Sequence, residues 1–530
     1  MNALRQPAAG RSAGLLLPLF SMPSSRSWGI GEFADLPILA RWMQGAGLSL
    51  LQVLPLNEMA PGQASPYSAV SAMALDPIFI SVPDVPDFHE LGGEDALDTA
   101  ARGLLGHARS SRAVDYWSVR TLKDRALRSA FRRFVRHEWT GDSGRAAHLR
   151  AFIRGQGWWL DDYALYRAAQ HAAGGQPWTA WPDAFRNRQR HAIAAFRRES
   201  GQEILYRQYL QWIAHEQWAQ ARRQSPGLRV SGDFPFGVAA DSADVWSNQD
   251  LFSFDGSVGA PPDAFSEGGQ NWELPVYRWE VLRERGFDWF GVRARRAADL
   301  FDLFRVDHVV GLFRSWVFPR DGSAPHFVPA GEAAQAAQGE AVLRAIMRSG
   351  AGVIAEDLGT IPRFVRHTLG ELGLPGYRVM RWERFWDEPG QPFVNPAEYP
   401  ASSVATTGTH DTETLAIWWK GADSDERRAA LTVAATAWRD QQPPETGGDT
   451  LPPAVRDALL ETMFASGSDL LTLPFQDVFG WPNRINVPAL IDDSNWTWRL
   501  PWPVDEFDAQ PEAAARQRVL RGWSERHSRA

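Results

Sequence analysis

The hexapeptide Leu303-Phe304-Arg305-Val306-Asp307-His308 lies in a run, Asp299 to Gly311, in which apolar and polar residues alternate and a glycine marks the end. β-Branched and aromatic side chains at every second position read as a buried strand with its polar groups gathered at the C-terminal end. Side chains two apart in a strand share a face, so Arg305 and Asp307 project into the same space. A guanidinium held there favours the charged carboxylate. A carboxylate nucleophile must be ionised, oriented and carried on a rigid element. Taken alone, the pair fits a structural closure of the strand end slightly better.

Two further carboxylates stand in equivalent settings. The run from Gly352 to Gly359 is a short apolar stretch that ends in Glu356 and Asp357, and Pro362 beyond it suits the first turn of a helix. The run from Ser403 to Thr412 leads a β-branched stretch through Gly408 into His410 and Asp411. A helix N-cap explains either one alone. Carboxylates at the ends of three separate strands shift the balance to a shared site.

From the N-terminus, strands are expected over residues 14–19, 49–56, 228–237, 303–309, 352–356, 376–382, 403–411 and 470–477, with helical patterns between them. Asp35 is placed to cap a helix whose face carries Leu36, Leu39, Ala40 and Met43. Other helices are expected over residues 289–300, 341–349 and 425–438. Strand-helix units in that number predict an α/β fold, a (β/α)₈ TIM barrel whose active site lies at the C-terminal strand ends, where all three carboxylates fall. Residues 84–200 are too many for one connection and have helical spacing, so they are expected to form an inserted helical subdomain. The catalytic barrel is then assigned to residues 1–83 and 201–530. The basic residues of the insertion are expected to form a solvated face. A second long connection, residues 239–279, is rich in glycine, proline and aromatics and is expected to act as a substrate lid after the third strand.

The 530 residues carry a formal net charge of -8, which gives no reason to expect nucleic acid or an anionic membrane as partner. Cysteine is absent, which removes disulfides, thiol nucleophiles and cysteine metal sites. Residues 1–12 lack the apolar stretch of a signal peptide, and a cytoplasmic location is expected. No histidine cluster has metal-ligand spacing, and chemistry carried by carboxylates requires neither metal nor organic cofactor. Tryptophan is unusually abundant, 25 against 9 tyrosines. Most of these rings are expected in the core, but flat apolar rings with one donor also suit the C–H faces of sugars.

Together these motifs resemble the 4-alpha-glucanotransferases of glycoside hydrolase family 77, the amylomaltases or disproportionating enzymes of the α-amylase clan. The resemblance runs from Gly14 to about Trp502 through Gly29-Ile30-Gly31, Gln52 to Pro55, Ser65-Pro66-Tyr67, Asp241 to Trp246, Pro261 to Trp272, Arg305 to His308, Ala355 to Leu358, Gly408 to Asp411 and Asn495 to Arg499. It implies Asp307 as nucleophile, Glu356 as general acid/base and Asp411 as the group that holds the distorted donor ring. It implies Arg305 and His410 on the same sugar, Asp241 in support, and Tyr67, Asp263, Phe265, Gln270, Trp272 and Asn495 as substrate contacts. The implied partners are malto-oligosaccharides and α-1,4-glucans, with the protein a monomer or weak homo-oligomer. The alternatives are an α-glucan hydrolase on the same barrel and a non-catalytic glucan-binding protein; the latter would be expected to have lost at least one of the three carboxylates. The chain departs from the family pattern at Glu273, where glycine is usual, at Thr412-Glu413, which replaces the more frequent Asn-Asp, and over Phe479 to Arg484.

Overall fold

The computed structural model describes residues 10–262, 268–434, 448–488, 490 and 492–530. In chain order its strands are β1 (Ser12–Leu16), β2 (Leu50–Gln52), β3 (Arg229–Phe234), β4 (Phe252–Ala260), β5 (Gln270–Tyr277), β6 (Leu303–Val306), β7 (Ser315–Pro319), β8 (His326–Val328), β9 (Gly352–Ala355), β10 (Gly376–Val379), β11 (Ser403–Thr406) and β12 (Leu470–Pro474). Eight of them close a parallel barrel in the order β1-β12-β11-β10-β9-β6-β3-β2. Each overlaps an expected strand and is shorter, β1 also starting two residues earlier than expected. The last stops where Pro474, which has no N–H for the ladder, leads into the helix Phe475–Phe479. The sixth expected strand ends at Val379 and continues as the 3₁₀ turn Met380–Trp382.

Leu50, Leu303, Ile354, Tyr377, Val404 and Leu470, one from each of six barrel strands, pack as an apolar cluster separate from the main core. With a period of two, Arg305 follows Leu303 and Glu356 follows Ile354 on that same inward side. The barrel interior is therefore apolar below and polar at its C-terminal mouth, the arrangement that places chemistry at one end of this fold. Around it the helices Leu36–Gly45, Asp288–Leu300 and Glu332–Met347 cover the expected helical patterns, while Ser424–Val433 covers the described part of the 425–438 pattern. Asp35 does not cap its helix. Its carboxylate accepts from the Glu32 N–H at 2.7 Å and the Ser27 hydroxyl at 2.6 Å, bracing the turn before it.

The connection expected as a substrate lid carries regular structure. After the helix Ala243–Ser247, β4 and β5 form an antiparallel hairpin that continues through β7 to β8 as a second, four-stranded sheet. Pro275 and the glycines mask its alternation in the sequence. Proline is tolerated there because β5 is an edge strand.

Between β2 and β3 the regular structure is helical, dominated by Thr99–Ser110, Tyr116–Phe134, Gly144–Ala172 and Gly201–Arg223. Its basic residues do not simply face solvent. Lys123 meets Glu32 at 2.6 Å with both side chains buried, and Arg120 meets the buried Asp76 at 2.8 Å. Arg133 and Arg145 converge on the buried Asp87 at 3.0 and 2.7 Å. Acids buried beneath the helices draw these cations inward, since a buried carboxylate needs a partner. Among the described residues no helix is long and apolar enough to cross a membrane.

Candidate active site

Arg305 stands at the centre of the barrel mouth. Its Cα faces that of Asp233 across the β3–β6 ladder, and its Nη1 donates to Asp233 Oδ2 at 2.7 Å. Its Nη2 lies 2.7 Å from Asp307 Oδ1 and 3.8 Å from Glu356 Oε2. Two oxygens at those distances from one nitrogen cannot be farther apart than the sum of the two, which only just reaches the ~6.5 Å where the spacing of inverting glycosidases begins. Glu356 is fixed further by two backbone donors, the N–H of His308 at 2.8 Å and that of Leu358 at 3.0 Å.

Asp411 is joined to the same network from the other side. His410 Nε2 lies 3.2 Å from Asp411 Oδ2 and 3.1 Å from the Tyr67 hydroxyl, and the Tyr67 and His410 rings stack at 5.5 Å. The Tyr67 hydroxyl donates to Asp233 Oδ2 at 2.8 Å, so the one N–H at His410 Nε2 is shared between the Tyr67 oxygen and the Asp411 carboxylate. Asn486 donates to Asp411 Oδ1 at 2.6 Å, and Arg484 donates to the Asp411 carbonyl at 2.7 Å. One chain of polar contacts thus runs from Asn486 through Asp411, His410, Tyr67 and Asp233 to Arg305, Asp307 and Glu356.

The carboxylates titrate apart because their surroundings differ. Burial, reinforced by the charge of Asp307, pushes Glu356 up to about 8 despite the nearby Arg305 and the backbone donors. The recessed setting of Asp411 works in the same direction, but the charge and hydrogen bond of His410 and the amide of Asn486 outweigh it and hold Asp411 at about 2. Asp411 keeps 40 % of its side chain exposed, Asp307 25 % and Glu356 12 %, so the acid raised in pKa is also the most enclosed. The site pairs a protonated carboxyl with carboxylates at hydrogen-bonding range of fixed donors, an arrangement suited to acid-assisted displacement at an acetal carbon.

The sequence profile of the 4-alpha-glucanotransferase family matches residues 17–505. The chain belongs to this 4-alpha-glucanotransferase family. It is 33% identical over 534 residues to the 4-alpha-glucanotransferase of Thermus thermophilus, covering 97% of this chain and 99% of that one. It is 32% identical over 505 residues to the 4-alpha-glucanotransferase of Chlamydia pneumoniae, covering 93% and 92%. Among solved structures, the amylomaltase of Streptococcus agalactiae in complex with acarbose superposes with a TM-score of 0.80 at 25% identity, over 98% of this chain and 100% of that one. The amylomaltase of Corynebacterium glutamicum shares the fold, with a TM-score of 0.80 at 23% identity over 96% of this chain and 75% of that one.

Against the pattern of 4-alpha-glucanotransferases, the expected site residues divide. Tyr67, Arg305 and His410 enter the carboxylate network described above. Trp272 packs edge-on against His308 with ring centroids 4.8 Å apart, and Gln270 Oε1 accepts from its indole N–H at 3.4 Å. A register shift between Val258 and Gly259 bulges β5 at this point, and Glu273 takes a left-handed φ of 57° there. Glycine adopts that conformation without strain, which a glutamate does not. Asp241 lies on the helical wall, accepting from the Tyr166 hydroxyl at 2.7 Å and the Trp178 N–H at 3.1 Å. Asn495, expected as a substrate contact, is engaged within its own segment. Its amide donates to the carbonyls of Val487 and Leu490 at 3.3 and 2.8 Å and accepts from the Val487 N–H at 2.9 Å, so it locks its own loop. Asp263 and Phe265 lie outside the described residues. Asp233, His308 and Asn486 belong to the site and were not singled out from the sequence.

Proposed function

We propose that this member of the family moves α-1,4-glucan segments from one malto-oligosaccharide to the 4-hydroxyl of another through a covalent glycosyl-enzyme. Asp307 attacks the anomeric carbon, the glycosidic C–O bond breaks, and Glu356 gives its proton to the leaving oxygen. In the second half-reaction the Glu356 carboxylate takes the proton of the acceptor 4-hydroxyl, whose oxygen attacks the same carbon and releases Asp307. Once Asp307 is esterified its charge no longer raises the pKa of Glu356, which then suits a base. Asp411, held by His410 and Asn486, binds hydroxyls of the distorted donor ring. Arg305 holds Asp307 in place through its ion pair and, with His410, orients the sugar.

The observation that carries this reading is the single guanidinium nitrogen shared by Asp307 and Glu356 at 2.7 and 3.8 Å. The activity named for the relatives supports α-glucans as substrates. Trp272 and Tyr67 line the donor side, Asp241 supports it from the helical wall, and the β4–β5 hairpin screens the intermediate from water in favour of a sugar acceptor. We further assign the helices of residues 84–200 to an inserted subdomain, and the protein to the cytoplasm as a monomer or weak homo-oligomer without cofactor. The test of the roles is Glu356→Gln supplied with α-glucosyl fluoride, whose leaving group needs no proton. The variant is expected to accumulate glycosyl-enzyme from the fluoride while turning over maltotriose very slowly. Equal loss with both donors would remove Glu356 from the acid role.

A further inference from the structure

Adjacent apolar side chains left together in solvent mark a surface that meets a partner more than a lone exposed ring does. Trp386 is 57 % and Phe385 43 % exposed, both on the connection from β10 to β11. β10 pairs with β9, which leads to Glu356, and with β11, which leads to Asp411. The connection therefore leaves the barrel at its C-terminal end between two of the three carboxylates.

This loop is braced from beneath. Arg381 donates to the carbonyls of Thr407 and Glu413 at 3.0 and 2.7 Å and pairs with the Glu413 carboxylate at 3.3 Å, which ties the loop to the segment behind Asp411. Its two arms bridge at Arg384 and Phe393, and the Phe385 N–H donates to the Pro392 carbonyl at 3.0 Å. The Arg384 guanidinium lies 3.9 Å over the buried Phe393 ring and 5.9 Å from the Trp386 ring, and also pairs with Glu426. The loop thus buries the Phe393 ring and leaves those of Phe385 and Trp386 exposed.

We infer that Phe385 and Trp386 form a stacking platform for the part of an α-1,4-glucan chain that extends beyond the sugars held at Asp307, and so favour long glucans over short ones. This rests on the glucan-transfer reading. The occupant follows from continuity with the barrel mouth, because the loop starts at the C-terminal end of β10, between the strands that lead to Glu356 and Asp411. It follows also from chemistry: neutral sugar rings offer flat C–H faces to aromatic rings and need no charged partner.

The test compares long-chain amylose with maltotriose in the double variant Phe385→Ala/Trp386→Ala. The expected result is a rise of about three- to tenfold in KM for amylose with maltotriose kinetics unchanged. Trp386→Tyr, which keeps an aromatic face, is expected to retain most of the amylose affinity. Unchanged amylose kinetics, an equal loss on both substrates, or a Trp386→Tyr variant as weak as the double alanine would each overturn the platform. Absence of maltotriose disproportionation in the unaltered protein would overturn the underlying reaction instead.

Discussion

Glu356 and Asp411 carry the same functional group at equivalent strand ends, yet enclosure raises one to about 8 while His410 and Asn486 hold the other at about 2. A carboxyl raised in this way stays protonated below its pKa and is lost as an acid when pH rises through it. With glycosylation of Asp307 governing kcat/KM, that constant for maltotriose is expected to hold up to about pH 8 and to fall about tenfold per unit above it, the limb disappearing in Glu356→Gln. A fall in kcat/KM that begins in the ordinary carboxylate range, or a limb near pH 8 that survives in Glu356→Gln, would contradict the assignment. The three acids were legible in the sequence because each closes a β-branched run. Asp233 obeys the same rule at the end of β3, but its importance comes from Arg305 on the neighbouring strand, and a cross-strand partner leaves no local signal. Asn486 lies in an aperiodic stretch, and only the tertiary fold brings it to Asp411.

At the scale of elements, the barrel strands were readable because parallel strands buried on both faces are continuous apolar runs. The β4–β5 hairpin was not, since a bulge breaks its alternation and Pro275 sits within it. Its bulge carries the left-handed Glu273, a conformation that costs a non-glycine residue about 1 kcal/mol. Glu273→Gly is therefore expected to raise stability by about 0.5–1 kcal/mol, read as a higher thermal midpoint. A lowered midpoint would show that the Glu273 side chain contributes more than its backbone strain costs. The basic residues of the helical segment teach the same lesson from charge. Composition alone suits a solvated face, and the acids that draw Lys123, Arg120, Arg133 and Arg145 inward lie far away in the chain or in a short preceding helix.

Across the whole molecule, closure and chemistry occupy opposite ends of the barrel. Where β1 meets β12, the fully buried Arg529 donates to the carbonyls of Ser12, Phe464, Ser466, Ser468 and Asp469 at 2.7 to 3.3 Å. Hydrogen bonds from a charged donor are worth about 1.5–3 kcal/mol, and its removal strands several buried carbonyls. Arg529→Ala is expected to lose roughly 3 kcal/mol of stability with kcat on maltotriose unchanged below the new thermal midpoint; an unaltered midpoint would refute that latch. The most direct measurement of the central claim supplies the purified protein with maltotriose alone, without phosphate, nucleotide sugar or added metal, and follows products by chromatography beside a reducing-end assay. Disproportionation predicts glucose together with maltopentaose and longer chains at constant total reducing ends. A steady rise in reducing ends with no product longer than maltotriose would contradict it.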